Sequence, residues 1–357
     1  MALREDHRQK AISGAVFGIV SALGYTLADI FLREVATRGD LGWTAWVTCL
    51  KALPSFLIAW AIIGWRWSRG RRGLSGARSF LMLCAVGLLM QLGGNIAFQV
   101  ALSLGGLTLS VPLCFSTLIL AGALGGRMFL RESIPRRTQI AMILLIGSVF
   151  VLQQGADAAT RTANQESESW AVAAAVFFAC FSGASFGIGG VAMSHSVSGR
   201  GTIASTIAPL VTIGVFVPGS IAIQRLGFDG LAEIPWRTQA NMLWAGTFNS
   251  VGFFAVTAAM SRISLVRVNL INASQAALCA LAGIAWFHEP ASIWVGLGTV
   301  LTIASLAILG MQDENAPVEI PAVLDAEQPV IAAEVASQAR EEAVAEIAEG
   351  AVPPQAA

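Results

Sequence analysis

The sequence predicts an all-α integral membrane protein: ten transmembrane helices in two inverted five-helix repeats, with a disordered acidic tail. Three observations predict it. Hydrophobic residues make up 55% of the 357 positions and charged residues 12%, about half the charge of an ordinary soluble domain, where it is ~25%. Ten apolar stretches recur along the chain, most of them near the ~20 residues that a helix needs to cross a hydrocarbon core of ~30 Å. The second five stretches resemble the first five. LILAGALGGRMFLRES, ending at Ser133, lies over AALCALAGIAWFHEP, ending at Pro290. A shift of 157 places Gly126 on Gly283 and Glu132 on Glu289 (283 − 126 and 289 − 132). An odd number of spans per repeat turns the two halves upside down relative to each other, as in many secondary transporters.

The stretches fall near 11–33, 43–64, 80–103, 107–130, 137–154, 170–194, 202–223, 238–260, 266–287 and 292–311, the fifth being the shortest. None alternates as a barrel strand does. Backbone polar groups in lipid must then be satisfied within each segment, which leaves helices. The start resembles a signal peptide, but its apolar run is too long and no convincing small-x-small site follows, so it reads as an uncleaved first span.

Basic residues are distributed unevenly. Arg66, Arg69, Arg71, Arg72 and Arg78 lie between spans two and three, Arg131, Arg136 and Arg137 after span four, and Arg4, Arg8 and Lys10 before span one. The other side holds Arg33, Arg38, Arg161, Arg225 and Arg237. The positive-inside rule therefore places both termini in the cytoplasm. It also accounts for the basic 66–78 loop without a nucleic-acid partner. Cys49, Cys84, Cys114, Cys180 and Cys279 all fall inside spans and form no Cys-x-x-Cys pair, so neither a disulfide framework nor a metal site is expected.

The organisation that follows is a cytoplasmic segment 1–10, a first repeat 11–154, an external linker 155–169, a second repeat 170–311 and a tail 312–357. The tail carries ten acidic residues against a lone Arg340, a composition that cannot bury enough apolar surface to fold. Glycines four apart (Gly14 and Gly18, Gly122 and Gly126, Gly183 and Gly187) mark faces where two helices can approach closely. GASFGIGG imitates a dinucleotide fingerprint but lies inside an apolar span, with no strand before it. No phosphate-cradling loop ending in Lys-Ser or Lys-Thr is present, so the chain carries no ATP motor of its own.

The chemistry-bearing residues are few. Pro54 and Pro209 interrupt the corresponding spans two and seven, and paired interruptions are a sequence pointer to a transporter's binding site and hinge. Asp29 and Lys51 are charges inside spans one and two. Each costs roughly 2.5–3.5 kcal/mol at the bilayer centre, a cost that an ion pair between them removes. Gln91, Asn95 and Gln99 recur every fourth residue of span three and so share one helical face. Asn249 with Ser250, and Asn269, Asn272, Ser274 and Gln275, add amides and hydroxyls from spans eight and nine. Amides donate and accept, which suits a polar, weakly charged or zwitterionic solute. Tyr25, the chain's only tyrosine, lies one turn before Asp29. Glu132 and Glu289 close spans four and nine, each just before a proline. They read as caps for the next helix or as gates. No Ser-His-Asp set or intramembrane carboxylate pair is evident, so no enzyme activity and no cofactor is expected.

Together SALGYTLADIFLRE, the basic Lys51, the block NIAFQVALSLGGLTLSVPLCFSTLILAGALGGRMFLRES and HEP after span nine resemble the EamA-like ten-helix permeases of the drug/metabolite transporter superfamily. The resemblance covers about 11–311. It implies two inverted five-helix bundles around a central cavity, with exchange or ion coupling. Lys51 falls where many relatives have arginine, which implies a charge facing the substrate, and NLINASQ replaces the commoner proline-containing start of span nine.

The expectation is a permease of the cytoplasmic (inner) membrane, monomeric or homodimeric, surrounded by lipid. It moves a small polar or amphipathic metabolite by alternating access, one bundle rocking about Pro54 and Pro209. Tyr25, Lys51, Gln91, Asn95, Gln99, Asn249, Asn272 and Gln275 contact solute, and Asp29 couples to an ion. The alternatives are a lipid-carrier flippase, and a scaffold that acts through its acidic tail.

Overall fold

The computed structural model describes residues 2–36, 40–71, 73–74, 76–130, 136–153, 169–198, 202–289 and 291–310. Among these, every regular element is a helix. The 155–169 linker, apart from Ser169, and the 312–357 tail lie outside the described residues, as does Glu132.

Helix α1 is Ala2–Glu34 and α2 is Leu41–Ser68. Helix α3, Ala77–Leu89, continues through a π-helical turn, Met90–Ile96, into α4, Ala97–Gly125, and a second π-helical stretch, Gly126–Leu130. Then come α5 Arg136–Gln153, α6 Ser169–Ser198, α7 Ile203–Ala232, α8 Trp236–Met260, α9 Leu265–Asn272, α10 Ser274–Phe287 and α11 Ile293–Gly310. Local chemistry sets several starts. The Asp40 carboxylate accepts from Gly42 N at 2.7 Å to cap α2. Thr202 and Ser205 form a reciprocal capping box on α7.

Seven helices among the described residues are long and apolar enough to cross a membrane, and two shorter apolar ones accompany them. Large apolar side chains stand outward, among them Leu81, Met128, Phe129, Phe228 and Ile293. A soluble surface does not tolerate such a continuous belt. The chain is a multi-pass membrane protein.

One of the seven, Ala77–Leu130, runs 54 residues, far more than a single crossing takes. It is cut at Gly106, whose φ of 67° and ψ of −173° leave the helical region. Across that cut the Ser110 hydroxyl donates to Ala101 O at 2.8 Å. Nine residues of straight helix would hold those backbones roughly 13 Å apart. The chain therefore doubles back at Gly106, and the third and fourth apolar stretches are its two arms.

Packing runs between the halves of the sequence. Helix α1 lies along α8, α2 along α7, α4 along α6, and α5 along α11. In each pair one helix precedes the linker and one follows it, so the halves interlock rather than standing as the two separate bundles expected from the sequence. Small residues dictate the partners, because in lipid helix association relies on close backbone approach rather than on apolar burial. A Cβ built on Gly187 would meet Leu118 O and Ala121 Cβ, both at 2.7 Å, and one on Gly183 would collide with Cys114 O, which sets α4 against α6. Gly24 lies under Gly252 N and Phe248 O, which sets α1 against α8. The short pair α5 and α11 is tied by hydroxyls: Ser305 donates to Ala141 O at 2.8 Å, and Thr302 to Ser148 at 3.3 Å.

Glu289 closes the interlock. Helix α10 ends on His288, held at φ 53°, and Glu289 N donates back to Gly283 O at 3.0 Å, a left-handed ending that reverses the chain. That reversal directs the carboxylate at the Gly106 turn, where it accepts from Leu107 N at 3.0 Å and Thr108 N at 2.9 Å. Arg33 Nε donates to the same carboxylate at 3.2 Å, and its guanidinium lies over the Phe287 ring, 5.6 Å from the centroid. Gly106 and Gly283 clear the space, since a Cβ on either would strike this carboxylate. Glu289 is thus a helix cap, but for the arm that begins after Gly106 rather than for the next helix, α11. The reason is the left-handed His288, which turns the chain away from the next helix.

Removing one partner of a buried ion pair typically costs about 3–5 kcal/mol. Glu289→Ala is expected to lower the thermal unfolding midpoint of the purified protein strongly, and Glu289→Gln, which keeps one acceptor oxygen, to lower it less. An alanine variant melting at the parental temperature would show that this cap contributes nothing.

Candidate functional site: a polar cavity between interlocked helices

Amides and two charges converge where α1, α2, the first π-helical turn, α4, α6, α7, α8, α9 and α10 meet. They enclose a cavity of about 150 Å³, well above the ~10–15 Å³ that one water needs. Its wall includes Tyr25, Asp29, Lys51, Gln91, Asn95, Asn249, Asn272 and Gln275. Eight of the nine residues assigned from the sequence to solute binding and ion coupling therefore border one space.

The exception is Gln99. It is 3% exposed, away from the cavity wall, and its amide donates to Leu32 O at 3.3 Å. The equal spacing of Gln91, Asn95 and Gln99 predicts a common face for a regular α-helix. The π-helical turn Met90–Ile96 takes more residues per turn, so the register changes and Gln99 faces α1 instead.

The polar groups of the cavity divide into two sets. The first satisfies itself. Lys51 Nζ donates to Asn95 Oδ1 at 2.7 Å, Asn95 Nδ2 to Gln91 Oε1 at 2.8 Å, and Gln91 Nε2 to Leu210 O at 3.3 Å. This relay crosses from α2 through the π turn to α7. Gly214 leaves the room for it, because a Cβ there would lie 2.7 Å from Gln91 Nε2. Likewise Gln275 Nε2 donates to Asn272 Oδ1 at 3.1 Å and Asn272 Nδ2 to Val268 O at 3.2 Å. The hydroxyl of Ser250 pairs with Ser55 at 2.8 Å, and that of Ser274 donates to Ile271 O at 2.8 Å.

The second set faces the cavity with unused capacity. The Tyr25 hydroxyl and the Asn249 amide make no hydrogen bond to the described residues. Asn269, 5% exposed, has an Nδ2 with no hydrogen-bond partner among the described residues. Asp29, 7% exposed, receives only the weak thiol donor of Cys279, at 3.8 Å. The sequence expectation of an Asp29–Lys51 ion pair is corrected: no N···O approach within 4.0 Å links them, as one does Arg33 and Glu289. Lys51 is taken by Asn95, which reaches it from the π turn.

The prolines lie beside the cavity rather than in its wall. Pro54 has no N–H, so the Leu50 carbonyl loses its helical donor. Gly246 of α8 packs on this spot, where a Cβ would lie 2.9 Å from Leu50 O and 2.8 Å from Lys51 O. Pro209 is buried in α7, beside the cavity-lining Leu210. Sequence reasoning left out the aromatic part of the wall, Phe98, Phe115, Phe186 and Phe253. In a chain with 18 phenylalanines, nothing in the pattern separates these four from lipid-facing ones. Asn269 was visible as an amide of span nine, and only its missing partner sets it apart.

No family model and no curated protein matches this chain. A solved crystal structure, described only as that of a protein, has a similar fold: TM-score 0.56, 11% sequence identity, covering 83% of this chain and 96% of that one. That likeness shows a shared fold.

If the cavity holds water, a cysteine-free background carrying Asn249→Cys is expected to react with a small hydrophilic thiol reagent. Ala59→Cys, placed in a fully buried apolar cluster, is expected to stay unmodified. Equal protection of both would show that the centre is dry.

Proposed function

We propose that this protein is a secondary transporter, an EamA-like permease of the drug/metabolite transporter superfamily, which moves a small polar or amphipathic metabolite by alternating access. The observation that carries this reading is the cavity of about 150 Å³ within a multi-pass membrane protein, lined by Tyr25, Asp29, Asn249 and Asn269, whose hydrogen-bonding capacity the described residues leave partly unused. Buried polar groups in a folded protein are nearly always satisfied. Several lacking partners around one space indicate that water or a solute supplies them.

Packing supports an inverted repeat of ten spans. Exchange of the halves maps span one onto six and span eight onto three. The α1–α8 pair then corresponds to the contact of α6 with α3 and its π turn, and both contacts are present. The α2–α7 and α5–α11 pairs map onto themselves. With both termini in the cytoplasm, Arg33, Glu289 and the Gly106 turn form the outer closure. Beneath it Leu32, Leu102, Leu107 and Val111 pack into one apolar cluster. The cavity extends from this plug toward Met193 and Met260, at the inner ends of α6 and α8. Asp29 is the ion-coupling group, and Lys51, Tyr25 and Asn249 bind the solute. Neither tryptophan nor arginine lines the cavity, so no observation favours the flippase.

A thermal-shift screen of the purified full chain against a metabolite panel tests the reading, because a ligand that binds only the folded form raises its stability. Counterflow of the ligand found, in proteoliposomes, follows. Flux should persist when 312–357 is deleted, which a scaffold working through its tail would not survive. Lys51→Ala, correctly inserted, is expected to lose at least about tenfold in flux, equivalent to ~1.4 kcal/mol. Asp29→Asn is expected to abolish the pH dependence of flux. An unchanged pH profile removes Asp29 from coupling, and normal flux in the Lys51 variant removes Lys51 from the site.

A further inference from the structure

The cavity is lined by two groups of opposite charge that make no direct ion pair. Asp29 on α1 and Lys51 on α2 both line it, yet no ion pair joins them within 4.0 Å. Lys51 is held by a neutral amide oxygen. Asp29 has one weak thiol donor, Cys279, and no other hydrogen bond from the described residues. An uncompensated charge in an enclosed, largely apolar space is costly. A ligand of one sign would relieve one charge and be repelled by the other.

Resting on the transport reading above, we propose that the occupant is a zwitterion, its cationic group on Asp29 and its anionic group on Lys51. The remaining wall fits that assignment. Asn269 and Asn249 add amides to the wall, and Phe115 and Phe253 offer an apolar surface for the ligand's body. Desolvating both charges of the ligand against two fixed, opposite partners sets its orientation, because the reversed pose places like charges together.

The test is binding to the purified full-length protein, read by thermal shift and independent of flux. The probes share one carbon skeleton: L-leucine carries both charges, L-leucine methyl ester only the cation, and 4-methylpentanoate only the anion. A separate arm uses glycerophosphoethanolamine, the water-soluble form of a zwitterionic lipid head group. The expected result is protection by leucine or by glycerophosphoethanolamine, with at least about tenfold weaker protection by either singly charged analogue. Which of the two zwitterions protects identifies the source as a free metabolite or a lipid head group. Lys51→Gln is expected to shift the preference toward the methyl ester, and Asp29→Asn toward 4-methylpentanoate. These opposite shifts separate charge recognition from a general loss of folding, which would weaken all probes alike. Protection by a singly charged analogue as good as by the zwitterions, or no protection by either zwitterion, would overturn the proposal. A protein that transports a simple cation or anion while binding no zwitterion would do the same and leave the transport reading standing.

Discussion

The carboxylate of Glu289 is the point on which the two halves of the chain close. A helix that restarts at a turn buried in protein exposes its first N–H groups where water does not reach them, so they need partners from the chain itself. At Gly106 that task falls to a residue 182 positions from the Leu107 amide. The same carboxylate neutralises Arg33 at the end of α1. Four segments are fixed by one side chain: the end of α1, the Gly106 turn, the arm after it and the end of α10. Two glycines, Gly106 and Gly283, provide the space without which the carboxylate could not enter.

With the ends fixed in this way, polar groups nearer the centre sort by whether the protein itself satisfies them. The Lys51–Asn95–Gln91 relay ends on a backbone carbonyl of α7, and the Gln275–Asn272 bond ends on α9. Such bonds hold helices in register, each contributing about 0.6 kcal/mol. Tyr25, Asn249, Asn269 and Asp29 do no comparable work. The cavity wall thus combines a self-satisfied polar frame with a smaller group of atoms that the described residues leave free to pair with water or a solute.

The apolar stretches, the charge asymmetry and the convergence of Asp29, Lys51 and the span-three amides were legible in the sequence, because lipid forces a length and a polarity on each helix. Three features were not. Gln99 left its expected face because a π-helical turn is invisible to an α-helical period. The partner of Glu289 was hidden because a left-handed residue, His288 rather than glycine, redirects the chain. The pairing of helices across the halves depended on glycines such as Gly24 and Gly187, whose spacing reveals a close contact but not the partner. Short connections predict neighbours in sequence, whereas these helices chose neighbours by backbone approach.

The interlock constrains how the cavity could open first to one side and then to the other. Rigid rocking of one half against the other would separate α1 from α8, α2 from α7 and α4 from α6 at once, stripping the close glycine contacts along all three. Bending within helices disturbs far less. Pro54 and Pro209 are two of the four intrahelical prolines among the described residues, with Pro112 and Pro218, at which the helical ladder lacks a bond, and kinks concentrate where such bonds are missing. The Pro54 kink is packed directly on Gly246 of α8, and the π turn carries Gln91 against Leu210, next to Pro209. A change of bend at either proline therefore moves a residue of the cavity wall, Lys51 in one case and Gln91 in the other. Under the proposed alternating access, such bending would couple access to binding through the same few backbone positions and leave the Glu289 closure intact until the bend reached it.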